Sequence, residues 1–253
     1  MADPTAAAFV AHDAISVQEA AQKLAAPARD AFEKDGDLDK VEQELNRLWS
    51  AVLDAAEQTS HDQQAKLVDI VRAIQQMPQP VHAGKKFEIW DQEQRWDLLP
   101  LFGAQARERL DTAQEKSGAA LVNVHAFFAR LTAAGINDLS LFAIWVFREA
   151  LEDPDKDQIA KTTSPELLQS ASVWLIYAAE ALSKKSKDAK QFDGKMAKPG
   201  SSLSAFKDAP GWMGFCQERW ETWIQRLTPL KEAEVATEAK SLISQALDNA
   251  CKV

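Results

Sequence analysis

Apolar residues recur at spacings of three and four along nearly the whole chain, the period of a helix that buries one face. Leu38, Val41, Leu45, Leu48, Trp49, Val52 and Leu53 form one such stripe, and Leu67, Val68, Val71, Ile74 and Met77 form the next. No convincing run of alternating apolar and polar residues marks a strand. Turn residues are scarce as well: 253 residues hold 9 glycines and 10 prolines, fewer than the roughly 12% of average usage. Sheet-rich folds need more turns than that. The pattern predicts an all-α fold of about nine helices, over 14–26, 38–58, 61–77, 101–116, 119–134, 138–152, 165–184, 213–227 and 230–251.

Helix starts are marked by capping chemistry. Ser16 with Glu19, and Ser60 with Gln63, fit the capping box, in which a hydroxyl and a later side chain satisfy orphan amides. Ser164-Pro165 and Thr228-Pro229 place a capping residue before proline at the first helical position. The segments 139–147 (LSLFAIWVF) and 173–179 (VWLIYAA) are apolar on every face, so the helices 139–152 and 165–184 are expected at the centre. The last helix, with Lys231, Glu232 and Glu234, reads as a polar-faced cover.

Two stretches interrupt the period. Residues 78–100 are rich in Pro and Trp and too apolar for a free linker. Residues 184–211 hold seven lysines and predict a mobile surface loop, with a lid over a pocket as the sharper alternative. Residues 1–13 are expected to be loosely ordered. No polar, Gly-rich linker separates two apolar patterns, so a single compact domain spanning 1–253 is expected.

The formal net charge is −9, which argues against a nucleic-acid or anionic-membrane partner, since both require a basic surface. The N-terminus lacks the basic start and apolar stretch of a secretory signal, and the charge-free runs are too short to span a bilayer. Cys216 and Cys251 lie in different segments and make no disulfide framework. A cytoplasmic protein is expected.

Standard catalytic patterns are missing. The chain has no glycine-rich phosphate loop, no dinucleotide fingerprint and no nucleophile elbow. Ser204 and Lys207 fit S-x-x-K only by chance in a Ser- and Lys-rich stretch. His12, His61, His82 and His125 are far apart. Asp153, Asp155 and Asp157 open like a calcium loop but meet Gln158 and Ser164 where Gly and Glu are needed. The paired acidic motifs of helical terpene synthases fail as well, because Lys156 follows Glu152-Asp153 where the last Asp should stand. No metal and no other cofactor is expected.

What remains is aromatic. Eight tryptophans stand against one tyrosine. They can fill a helical core, or several can line a cavity for an apolar ligand. His125 shares a helical stripe with Leu121, Phe128 and Leu131, so it is expected to point inward and to be neutral. A lone inward histidine is more often a core residue than a catalyst. Beside a pocket, however, a neutral imidazole can hydrogen-bond a carbonyl or relay a proton.

An ordered series of motifs carries a resemblance. Trp96-x-x-Leu99-Pro100-x-Phe102-Gly103 is followed by Arg107, then by Asn123 with Ala126-Phe127-x-Ala129-Arg130-Leu131-Thr132. Glu218-Arg219-Trp220-x-x-Trp223-x-x-Arg226-Leu227 completes it. The chain resembles the fungal domain-of-unknown-function 3632 family over about residues 40–250, since ordered matches in separate segments are more specific than one motif. The resemblance implies a soluble helical fold, and some members belong to specialised-metabolite pathways. It marks Trp96, Arg107, Asn123, Arg130, Arg219, Trp220 and Trp223 as largely structural, with Arg130 and Arg219 pairing to buried carboxylates or carbonyls. His125 stands where the family pattern carries a second Asn.

Two function classes follow. In the first, the protein binds an apolar small molecule without any cofactor and catalyses its cyclisation or isomerisation. His125 is then the catalytic candidate, and Trp96, Asn123, Phe128, Trp145, Trp174, Tyr177 and Trp220 are the ligand-binding candidates. In the second, it is a non-catalytic helical protein-interaction module. A closed apolar cavity at His125 favours the first and a filled core favours the second.

Overall fold

The computed structural model describes Phe9, residues 15–116 and residues 118–253. The expectation for residues 1–13 therefore lies outside the described residues except at Phe9, which is buried. The fold is all-α, and each of the nine predicted segments contains a helix. No helix among the described residues is long and apolar enough to cross a membrane. The chain gathers into two compact units, residues 1–116 and 117–253. No extended linker marks the boundary in the sequence, which reads Glu-Lys-Ser-Gly there.

The first unit contains α1 (Val17–Glu33), α2 (Leu38–Gln58), α3 (Ala65–Gln75) and α4 (Phe102–Lys116). Ser16 caps α1 by accepting from the Glu19 amide. The helix then continues past its predicted end at 26, with Pro27 inside it. Pro27 is exposed, so its ring and the hydrogen bond it removes lie at the solvent face, where the cost is least. Ala20, Ala21, Ala25, Ala28 and Ala31 are all buried, and this smooth face packs on α2 and α3.

Ser60 does not cap a helix. Its hydroxyl donates to Asp62, and α3 starts at Ala65 instead of 61. The reason lies at Gln64, whose buried side-chain amide donates to the Ala56 and Thr59 carbonyls. It thereby satisfies the end of α2, which a continuous helix from 61 would prevent.

The stretch 78–100 contains an antiparallel ribbon in which β1 (Glu88–Ile89) pairs with β2 (Gln92–Glu93). With two residues per strand, no alternation could reveal it. A short 3₁₀ turn follows at Trp96–Leu98. The Trp96 indole donates to the Ile74 carbonyl at 2.7 Å and the Trp49 indole to the Pro100 carbonyl at 2.7 Å. Leu99 and Leu101 both have positive φ, 53° and 66°. The W-x-x-L-P motif is thus a strained turn whose flanking indoles hold it in place.

The second unit contains α5 (Ala119–Ala133), α6 (Ser140–Phe147), the single turn α7 (Ile159–Thr162), α8 (Pro165–Lys187), α9 (Gln217–Leu227) and α10 (Thr237–Ala250). Its centre is α8, which packs against α5, α6, α9 and α10. Ser164 caps it by accepting from the Leu167 amide. The segment 138–152 becomes α6 followed by a π-helical turn, Arg148–Glu152. Thr228 does not start the last helix. Its hydroxyl donates back to the Ile224 carbonyl, Thr228–Lys231 is a 3₁₀ turn, and α10 begins at Thr237 rather than 230.

Candidate functional site

His125 lies on α5 facing α8 and is 1% exposed. The Trp174 indole on α8 donates to its Nδ1 at 3.0 Å, with the two rings edge to face. Burial lowers the imidazole from its ordinary value to about 3, so it is neutral. Because Nδ1 accepts, the proton sits on Nε2, and Nε2 has no hydrogen-bond partner. A buried donor without a partner is unusual and costs about 1–3 kcal/mol.

The other predicted ligand residues do not converge on it. Phe128 is buried and packs on Phe142, which in turn meets Trp145. The Trp145 indole is committed to the Met196 carbonyl. Tyr177 lies under the Arg130 guanidinium at 3.7 Å. Asn123 and Trp220 are buried, and Asn123, two residues from His125 on α5, projects from another side of that helix. Trp96 belongs to the first unit, where its ring also carries Arg29 at 5.0 Å.

The densest polar constellation surrounds Glu152, a residue the sequence offered only as a failed metal motif. It ends the π-helical turn and is 0% exposed, as is Arg219. Its Oε1 accepts from Arg219 Nε at 2.8 Å and from the Trp223 indole at 2.6 Å. Its Oε2 accepts from Arg219 Nη2 at 3.0 Å and from the Gly200 amide at 2.9 Å. Arg219 Nη1 donates to the carbonyls of Ala197, Trp212 and Gly214. Arg226 adds bonds to the Leu151 and Pro154 carbonyls and to Ser202.

The carboxylate has no oxygen left for a substrate, so this centre is architectural. It bears directly on the lysine-rich stretch 184–211. Residues 184–187 are the last turn of α8, and Ala197, Gly200 and Leu203 are buried. A Cβ on Gly200 would lie 2.5 Å from Glu152, so only glycine allows that approach.

A different arrangement occurs in the first unit. Trp90 and Asp91 are the central residues of the ribbon turn, with φ of 54° and 59°. Such a turn favours Asn-Gly, and a bulky residue there costs about 1–3 kcal/mol. Trp90 is nevertheless 65% exposed, and its indole donates to Glu42 at 3.1 Å. It borders a cleft of about 240 Å³ whose apolar lining is Leu38, Ile89 and Trp90 and whose charged lining is Asp39, Glu42, Glu88 and Asp91.

Two further surface clefts lie elsewhere. One lies beside Arg29, Asp30, Met77 and Pro78. The other lies beside Asp153, Asp155, Gln158 and Ser201. None of the three clefts is lined by His125 or by any predicted ligand residue.

The model of the DUF3632 family, described as proteins of unknown function, matches residues 49–227. The chain belongs to the DUF3632 family. No curated protein and no solved structure matches it. In this DUF3632 chain the motif residues Trp96, Arg219 and Trp223 hold backbone turns and a buried carboxylate. Trp90 lies within the matched range and outside those motifs. Only an apolar side chain on a two-residue ribbon turn would have drawn attention to it, and that turn is too short to read from sequence.

Proposed function

We propose that this DUF3632 protein is a non-catalytic helical interaction module whose docking surface lies at the Trp90 cleft. The observation that carries this reading is Trp90 itself. Six of the eight tryptophans are buried, and Trp145 is partly covered with its indole bonded to backbone. Trp90 alone is exposed, in a backbone conformation that costs stability. Exposed aromatics on a fixed turn are the usual anchors of recognition surfaces, since they offer large contact area with little side-chain entropy to lose.

A random peptide-display library panned on the purified protein tests this. We expect enriched sequences that compete with one another for binding and whose retention drops at least tenfold on Trp90→Ala. The variant should keep the thermal midpoint of the parent to within about 3 °C, because an exposed side chain contributes little. Enrichment indifferent to Trp90→Ala, or no enrichment, would overturn the assignment.

The unpartnered Nε2–H of His125 favours a second reading, in which the second unit binds an apolar molecule bearing a carbonyl. With a value near 3 the imidazole serves as a hydrogen-bond donor and not as a proton shuttle at neutral pH. Any cyclisation it supports then rests on holding a reactive conformer. Cyclic ketones and lactones should raise the thermal midpoint of the parent and not of His125→Phe. Equal responses from both proteins would remove this reading.

A further inference from the structure

The Trp90 cleft is more selective than an exposed aromatic alone. Four carboxylates, Asp39, Glu42, Glu88 and Asp91, line it, and no basic side chain does. None of the four has an ion-pair partner among the described residues. The nearest lysines in sequence are engaged elsewhere, Lys40 with Asp35 and Lys86 with Glu93. In the ribbon, Glu88 stands directly opposite Glu93, and like charges in that register destabilise a strand pair. Glu42 also accepts the Trp90 indole N–H, which fixes the ring beside the carboxylates.

We propose that this cleft docks a basic segment of a partner protein, with a Lys or Arg side chain laid against the Trp90 ring and further basic residues paired to the acidic rim. This rests on the interaction-module reading above and names the partner's chemistry. The physical case is charge complementarity joined to an aromatic face. A guanidinium or ammonium over an indole gains from the ring quadrupole, more so where carboxylates flank it. A single small amine would neutralise one of four carboxylates and leave three facing each other. An extended chain with several positive charges, spaced along its backbone, answers all four. The half-buried Leu38 beside the Trp90 ring accommodates the methylene stems of such side chains.

Indole fluorescence and anisotropy with labelled peptides test the proposal. The probes are a nine-residue peptide with three arginines, the same peptide with citrulline at those positions, and one with glutamates there. The arginine peptide should bind, and its affinity should fall at least tenfold between 50 mM and 500 mM salt. Citrulline and glutamate peptides should bind at least tenfold more weakly. Glu42→Gln with Glu88→Gln should weaken the arginine peptide about tenfold, since the amide oxygen introduced on α2 can still accept the indole proton and hold the ring. Glu234→Gln with Glu238→Gln removes the same net charge from an exposed part of the second unit and should leave affinity unchanged.

Equal losses in the two double variants would reduce the effect to net charge and overturn the proposal. Equal binding of the citrulline peptide, still lost on Trp90→Ala, would overturn the basic-partner inference while leaving the interaction module standing. Binding that survives Trp90→Ala would overturn both.

Discussion

Glu152→Ala should destabilise the second unit by about 3–5 kcal/mol, the cost of leaving a buried charge without its partner. Arg219 would remain at 0% exposure with its counter-ion gone, and the Trp223 indole and the Gly200 amide would each lose an acceptor. The thermal midpoint of that unit should fall by about 10 °C or more. Two comparisons isolate the cause. Replacing both partners, Glu152→Met with Arg219→Met, removes the ions together and should cost less than Glu152→Ala, because no charge is left buried. Asp153→Ala, one residue away and bonded to Ser201 at the surface, should cost about 1 kcal/mol or less. Chemical denaturation of the three variants gives these differences directly. A loss under about 1 kcal/mol for Glu152→Ala, the scale of an ordinary surface contact, would mean that the pair is not what fastens 197–214 to the helices.

Acid should destabilise the protein through His125, and His125→Asn should remove that part of the response. The direction follows from burial. In the folded chain the imidazole lies near 3, below its ordinary 6.5. Above pH 6.5 neither the folded nor the unfolded state holds the proton, so this group adds no pH dependence. Between 6.5 and 3 the unfolded chain binds a proton that the folded chain refuses. Stability is then lost as pH falls, by up to about 1.4 kcal/mol per unit. Below 3 the loss stops.

At pH 7 the Asn variant should be less stable than the parent by about 1–2 kcal/mol, from lost packing and the altered bond with Trp174. The two curves should approach as pH falls and cross near about pH 5. Urea titrations at several values from neutral down to about pH 4.5 measure the difference, which cancels the carboxylates common to both proteins. Parallel curves would show that His125 is not held neutral in the core.

Asp138 should act in the same sense but more weakly. Burial would push its carboxyl up, but hydrogen bonds from Lys185 and Lys190, one from Ser140 and the charge of Lys185 outweigh that and hold it well below the usual carboxylate range. Its contribution is present above the ordinary carboxylate value and is lost as pH falls toward the lowered one. Its partial exposure keeps that contribution small.

The sequence by itself determined the helical class, the nine helical segments, the caps at Ser16 and Ser164, and the inward, neutral His125. Each depends on neighbours within one turn of chain or on the period of a single helix, and these are local properties. The same local rules misplaced the starts at Ser60 and Thr228, because a hydroxyl chooses between capping the next helix and bonding elsewhere according to the fold around it. Only the tertiary structure showed that Glu152, 67 residues before Arg219 in the chain, is that arginine's partner. Only the tertiary structure set Trp90 among carboxylates from α2 and the ribbon. Ion pairs and clefts of this kind join residues whose separation along the chain carries no period, so no pattern in one sequence could have located them.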